Sequence, residues 1–290
     1  MDIAILEFLE MIREACGGVF NTFFYNALPQ LTEDVFMHLP IMFTYWCLNK
    51  ECGELMGLSL GMGSSVNIFL KNIFKVPRPY NRPEGANLHP LGTMSSYSFP
   101  SGHTTRATAI YGSSGWFAHK LNAKTLRNLL WSIVGLIMLA RMMAGVHTPQ
   151  DVLAGLISTA LIVGLVLYIQ KWADTKSKVL FVGLGTVLFS LATGFFLGEW
   201  HSMLGDGIGL TLGWMLERLF VNFDLDVPVT DKIVRFVSGV LGFLAIHYIV
   251  GSALPLWLDA KIAGVITTTL TGLYVMFIHP YFFNKWETNR

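Results

Sequence analysis

Lys71 with Arg78-Pro79, then Pro100-Ser101-Gly102-His103, then Arg141 followed by His147 and Asp151 form three short groups whose side chains suit the binding and attack of a phosphate. Charge spreads over the non-bridging oxygens during phosphoryl transfer, so fixed cations around the phosphorus do most of the catalytic work. Arginine offers a planar fork of donors that stays ionised, and lysine a compact charge. His103 and His147 have the proton affinity for transfer near neutrality. A carboxylate four residues after His147 can accept one ring N–H, fix the tautomer and leave the other nitrogen as a nucleophile.

Each group also has a purely structural reading. Lys71 can snorkel from the end of a span, and Arg78 can be a solvated loop charge. Thr148-Pro149-Gln150-Asp151 reads as a helix start, with Thr148 as N-cap, Pro149 as first helical residue and Asp151 closing a capping box. That explains Asp151 as fully as the orienting role does, and the residues alone leave both open. Pro100 to His103 opens a helix with Ser101 as N-cap, and a helix start with unpaired N–H groups is an anion site. Arg141 differs from the others, because a charge deep in an apolar run is costly and marks function.

The elements that position these groups are those of a membrane protein. Hydrophobic residues make up 53% of the 290, charged residues 13%, and the mean hydropathy is +0.52, so the bilayer is the solvent. Apolar runs predict spanning helices near Val35 to Leu48, Leu55 to Phe74, Thr104 to Ala118, Leu129 to Val146, Val152 to Ile169, Leu180 to Leu197, Ile208 to Phe220, Ile233 to Val250 and Ile262 to Ile278. Residues 1–28 begin differently: Ile5, Leu6, Leu9 and Ile12 recur at helical spacing among Glu7, Glu10, Arg13 and Glu14, the pattern of an amphipathic helix lying at the interface. Between Lys75 and Ser101, Pro77, Pro79, Pro83, Pro90 and Pro100 forbid a continuous helix and force an irregular loop.

The cations Lys50, Lys120, Lys124, Arg127, Lys171, Lys176, Lys178, Arg218, Lys232, Arg235, Lys285 and Arg290 fall on one side of this topology. The opposite loops, 199–206 and 251–260, have none. The positive-inside rule makes the first side cytoplasmic and sends all three groups to the extracytoplasmic face of what is expected to be a bacterial cytoplasmic membrane. A net charge of +1 without a basic run gives no reason to expect a nucleic-acid partner. Cys16, Cys47 and Cys52 have neither disulfide nor zinc spacing and read as packing residues. No cleaved signal peptide is expected. His38, His119, His201, His247 and His279 read as packed or interfacial, His89 as a loop residue, and no carboxylate cluster for Mg2+ is evident.

In order and spacing, K-x6-RP, PSGH and R-x5-H-x3-D over residues 54–160 resemble the motifs of the type 2 phosphatidic acid phosphatase superfamily. That resemblance implies an all-α, polytopic transmembrane bundle acting on lipid phosphates or diphosphates without metal or cofactor. It implies that Lys71, Arg78 and Arg141 bind phosphate with Ser101 and Gly102, that His103 protonates the leaving group, and that His147, oriented by Asp151, attacks phosphorus to give a phosphohistidine. Ala140 stands where the family usually has serine, which removes a supporting hydrogen bond and not the nucleophile. The expected organisation is an interfacial segment over 1–34, a catalytic core over 35–177 and accessory spans over 178–290. Expected partners are a lipid phosphate, including polyprenyl diphosphate among the candidates, and membrane lipids. Two other readings use the same residues: a phosphotransferase with a hydroxyl acceptor in place of water, and a lipid-phosphate binding or transport protein. Binding alone requires only the cations, so the two histidines and Asp151 favour turnover.

Overall fold

The computed structural model describes residues 2–289; Arg290, one of the cations used to orient the chain, lies outside the described residues. Helices account for every regular element among them. In chain order they are α1 (Asp2–Cys16), α2 (18–30), α3 (34–48), α4 (Lys50–Phe74), α5 (102–120), α6 (Lys124–Met143), α7 (Pro149–Trp172), α8 (Lys176–Leu197), α9 (Ser202–Phe220), α10 (Val229–Leu256) and α11 (Ala260–Thr288). The nine expected spans all fall in α3 to α11. By length and composition, α6, α7, α8, α10 and α11 are apolar enough to cross a membrane, and the protein is an integral membrane protein. The other four are helical but shorter or more polar: α3 is too short, α4 carries Lys50, Glu51, Glu54 and Lys71, and α9 carries Asp206, Glu217 and Arg218.

One helix stops short of its expected end. The span expected to run to Val146 stops at Met143, because Gly145 takes a left-handed φ of 71° that turns the chain out of the helix. Arg141 therefore sits in the last turn of α6, and His147 lies in the connection to α7.

Packing divides the chain into two compact units, one comprising the segments up to Met37 and Phe69–Leu161, the other His38–Ile68 and Ile162 onward. In the first unit the amphipathic α1 ends at Gly17, whose φ is 78°, and buries Ile3 and Leu6 against Leu88 of the proline-rich loop, with Tyr80 and Met142 alongside. Buried Arg13 latches the same surfaces, donating to Met143 O at 3.1 Å and His89 O at 2.9 Å. Losing such a donor leaves the buried Met143 carbonyl unsatisfied at about 1–3 kcal/mol. The loop itself contains only two short turns, Pro79–Asn81 and Pro83–Gly85.

In the second unit α9 lies tightly on α11. A Cβ on Gly272 would meet Leu210 N at 2.7 Å, so the helix backbones touch. Lys50 pairs with Glu217 at 2.8 Å, and Arg218 grips Glu54 through two bonds of 2.9 and 2.6 Å. Arg235 grips Glu287 in the same forked way, at 2.7 and 2.6 Å. Lys50, Arg218 and Arg235, which help orient the chain by sequence, are thus also structural ion-pair partners. His279 is packed with its Nε2 2.8 Å from Arg235 O, and His201 caps α9 by accepting from Met203 N.

Candidate active site

All the expected site residues belong to the first unit. Lys71, in the last turn of α4, is buried and points its Nζ at the carbonyls of Tyr97, 2.6 Å, and Ser98, 3.4 Å. Ser98 N donates to Val76 O, so the two ends of the proline-rich loop are tied together behind it. Arg78 enters from that loop with every arm of its fork engaged: Nε donates to Ser96 O at 2.8 Å, Nη2 to Ser96 Oγ at 3.0 Å and Nη1 to Val146 O at 3.0 Å. The same Nη1 lies 3.0 Å from His147 Nε2. A guanidinium only donates, so Nε2 is the acceptor and the ring proton sits on Nδ1.

His147 Nδ1 faces Asp151 Oδ2 at 3.6 Å, with Ser98 Oγ at 3.5 Å. The two readings of Asp151 turn out to be simultaneous. Its Oδ2 accepts from Thr148 N at 2.8 Å, and Thr148 Oγ1 accepts from Asp151 N at 3.4 Å, which is the capping box. Ser98 Oγ donates to that same Oδ2 at 2.6 Å. Oδ2 therefore starts α7, receives Ser98 and confronts the imidazole at once.

The second motif reaches the third through the backbone, Ser101 N donating to Asp151 O at 2.9 Å. This approach is close enough that a Cβ on Gly155 would sit 2.8 Å from Ser101 O. Ser101 occupies the N-cap position of α5, but its side chain makes no capping bond, contrary to expectation. Its Oγ is instead buried without a protein partner, as is Nε of Arg141. Gly102 is the first residue of α5, and His103 follows at the mouth of the helix, ahead of the apolar run from Thr104. Its Nε2 lies 3.2 Å from Glu33 Oε1.

Three residues missed in the sequence touch the site. Ser96 and Ser98 carried no signal beyond lying in the loop, and Glu33 lies just ahead of α3, far from any motif. Glu10, Glu14 and His89 also come within ligand distance of one another, the one such grouping among the described residues that could hold a metal. It lies on α1 and the loop, is half-buried to exposed, and was not evident from sequence; exposed acidic groups of this kind are common without an ion.

Electrostatics follow from this placement. Burial pushes His147 well below its ordinary value, reinforced by Arg78, Lys71 and Arg141 and opposed by Asp151. Burial also lowers Arg78. The hydrogen bond from His103 is the main cause holding the Glu33 carboxyl down at about 2, against the upward pull of its own burial and with help from Arg106.

The comparisons with known proteins bear on this cluster. The model of the PAP2 superfamily matches residues 54–175, which contain every cation, both histidines and the aspartate named above, and the model of the PAP2 superfamily phosphatase transmembrane extension matches residues 201–290. Together they take in well over half of the chain. The chain belongs to the PAP2 superfamily. Sphingosine-1-phosphate phosphatase 2 of Homo sapiens is 27% identical over 229 residues, which span 70% of this chain and 55% of the human protein. Phosphatidylglycerophosphatase B of Bacillus subtilis is 32% identical over 132 residues, 43% of this chain and 60% of that protein. The chain thus spans little more than half the length of these two relatives. Among solved structures, the transmembrane PAP2 type phosphatidylglycerolphosphate phosphatase from Bacillus subtilis matches 60% of this chain and 86% of its own, at 26% identity and a TM-score of 0.49. The accessory spans after residue 178 accordingly include a PAP2-type transmembrane extension.

Proposed function

We propose that this chain is an integral-membrane phosphomonoesterase for a lipid phosphate, working through a phosphohistidine and without metal. The observation that carries the reading is the state of His147: Nδ1–H directed at Asp151, and the lone pair of Nε2 at Arg78 Nη1, 3.0 Å away. A phosphate drawn to Arg78 arrives at that lone pair. Arg141 Nε and Ser101 Oγ, buried without partners, are suited to its oxygens, since an unsatisfied buried donor costs about 1–3 kcal/mol and an anion supplies the acceptor. Lys71 adds a third positive charge.

The chemistry then runs in two steps. His147 Nε2 forms a bond to phosphorus as the bond to the ester oxygen breaks, and His103 gives that oxygen a proton. Water next attacks phosphorus, His103 takes its proton, and the P–N bond breaks to free inorganic phosphate and His147. The relatives named for sphingosine-1-phosphate and phosphatidylglycerophosphate both point to a phosphomonoester on a lipid. The loop-cation asymmetry supports an extracytoplasmic site.

The test is phosphate release by purified full-length protein from a panel of lipid phosphates and a polyprenyl diphosphate, with and without a chelator, with vanadate as inhibitor. Release from at least one monoester that survives EDTA and is stopped by vanadate is expected. Binding without release, or activity abolished by EDTA and restored by Mg2+, would overturn the reading.

A further inference from the structure

The four residues ahead of and opening α3 carry no motif, yet α5 grips them in sequence. Tyr111 Oη donates to Leu31 O at 2.9 Å, and Arg106 Nη1 donates to Thr32 O at 3.2 Å. Arg106 Nη1 also lies 3.9 Å from Glu33 Oε2, and Nη2 lies 3.4 Å from Asp34 Oδ1. Glu33 Oε1 meets His103 Nε2. Two of these holds are on backbone carbonyls, so the segment stays in place whatever side chain stands at 33.

The charges around His103 make Glu33 consequential. Arg141 of α6 and Arg106 of its own helix face the imidazole with positive charge and Glu33 with negative, while Asp34 pairs with Arg106 and Tyr25 acts on Arg141. Burial above all, and then the two guanidinium groups, disfavour an imidazolium and push the ring down to about 4, and an acid that is not protonated has nothing to donate. The Glu33 carboxylate is the group in this set that favours the charged ring.

We propose that Glu33 is the positioning residue of the leaving-group acid: through Nε2–H it holds the ring of His103 and raises its proton affinity, so that a proton on Nδ1 is delivered to the departing oxygen. This rests on the phosphatase reading above. In the first step the Nδ1 proton moves to the ester oxygen as the P–O bond breaks and the His147 Nε2–P bond forms. In the second, Nδ1 recovers a proton from the attacking water.

Two measurements on full-length protein in detergent, for wild type, Glu33→Gln and Asp34→Asn, test it. The first is the titration of His103 by NMR with labelled histidine, assigned through His103→Ala. Glu33→Gln should lower its midpoint by about one unit or more, and Asp34→Asn should leave it in place. The second is kcat against pH on an alkyl lipid phosphate and on nitrophenyl phosphate. Glu33→Gln should lose about 10- to 100-fold on the alkyl ester, with the alkaline limb moved to lower pH, and lose little on the aryl ester, whose leaving group needs less help. An unmoved His103 titration in an active protein, or equal losses on both esters, overturns the proposal. A wild type that releases no phosphate while the His103 midpoint still falls in Glu33→Gln would overturn the phosphatase reading and leave the pairing standing.

Discussion

Arg78 Nη1 and His147 Nε2 lie 3.0 Å apart, so the cation expected to bind phosphate is hydrogen-bonded to the nitrogen expected to attack it. On the proposed reading, binding and activation of the nucleophile share this one contact, and a phosphate oxygen taking over Nη1 would release the lone pair as phosphorus comes within reach.

Arg78→Lys keeps the charge and loses the fork that holds Ser96, Val146 and His147 together. kcat/KM should fall about 10²- to 10³-fold, and the inhibition constant for vanadate should rise in parallel. Full vanadate affinity beside a collapsed kcat would restrict Arg78 to holding the ring.

Capping and orienting by Asp151 separate by mutation. Thr148→Ala weakens the capping box and should cost about 1 kcal/mol of stability with kcat near wild type. Asp151→Asn should cost on the order of 10⁴-fold in kcat by presenting the wrong group to Nδ1. Ser98→Ala removes a bond to a charged oxygen, about 1.5–3 kcal/mol, and should lower kcat less than Asp151→Asn. Melting temperature and kcat measured on all three decide it: a Thr148→Ala enzyme as dead as Asp151→Asn would make Asp151 a helix cap only.

The two histidines are distinguishable by leaving group. His147→Ala should abolish turnover on every ester, because no covalent intermediate can form. His103→Ala should lose about 10²- to 10⁴-fold on an alkyl lipid phosphate and far less on nitrophenyl phosphate. Turnover by His147→Ala would sink the phosphohistidine.

His147 is held by burial well below its ordinary value of 6.5, so it stays neutral and nucleophilic through mildly acidic pH. The unfolded chain then binds a proton there that the folded chain does not, and stability should decline as pH falls below 6.5. Glu33 is depressed from 4.5 to about 2; its contribution is complete above 4.5 and is lost as pH falls toward 2. NMR of labelled histidine should find no His147 midpoint near 6.5, and hydrogen exchange at the start of α3 should accelerate only below pH 4.5. A His147 that titrates at its ordinary value contradicts the buried dyad.

Asn87 is exposed in the proline-rich loop. With Cys16, Cys47 and Cys52 replaced, Asn87→Cys should react with an impermeant thiol reagent in intact cells if the site is extracytoplasmic. Reaction only after permeabilisation reverses the topology and the pool of lipid the site can reach.

The sequence by itself determined the all-helical membrane architecture, because that depends on local rules, and it nominated eight candidate site residues through motif order and resemblance. Apolar length makes a span, proline forbids a helix in the loop, and Thr148 to Asp151 writes its own capping box. Motif order then implied that Lys71, Arg78, His103, Arg141, His147 and Asp151 meet. Tertiary structure alone decided what those residues do to one another. It brought Ser98 to Asp151 across 53 positions, set Arg78 against Nε2 of His147 and so fixed the tautomer, and put Glu33 on His103. Periodicity and end signals report which face of a helix is buried and where it stops; they are silent on which distant loop side chain packs there, since that depends on how separate helices and loops settle against each other.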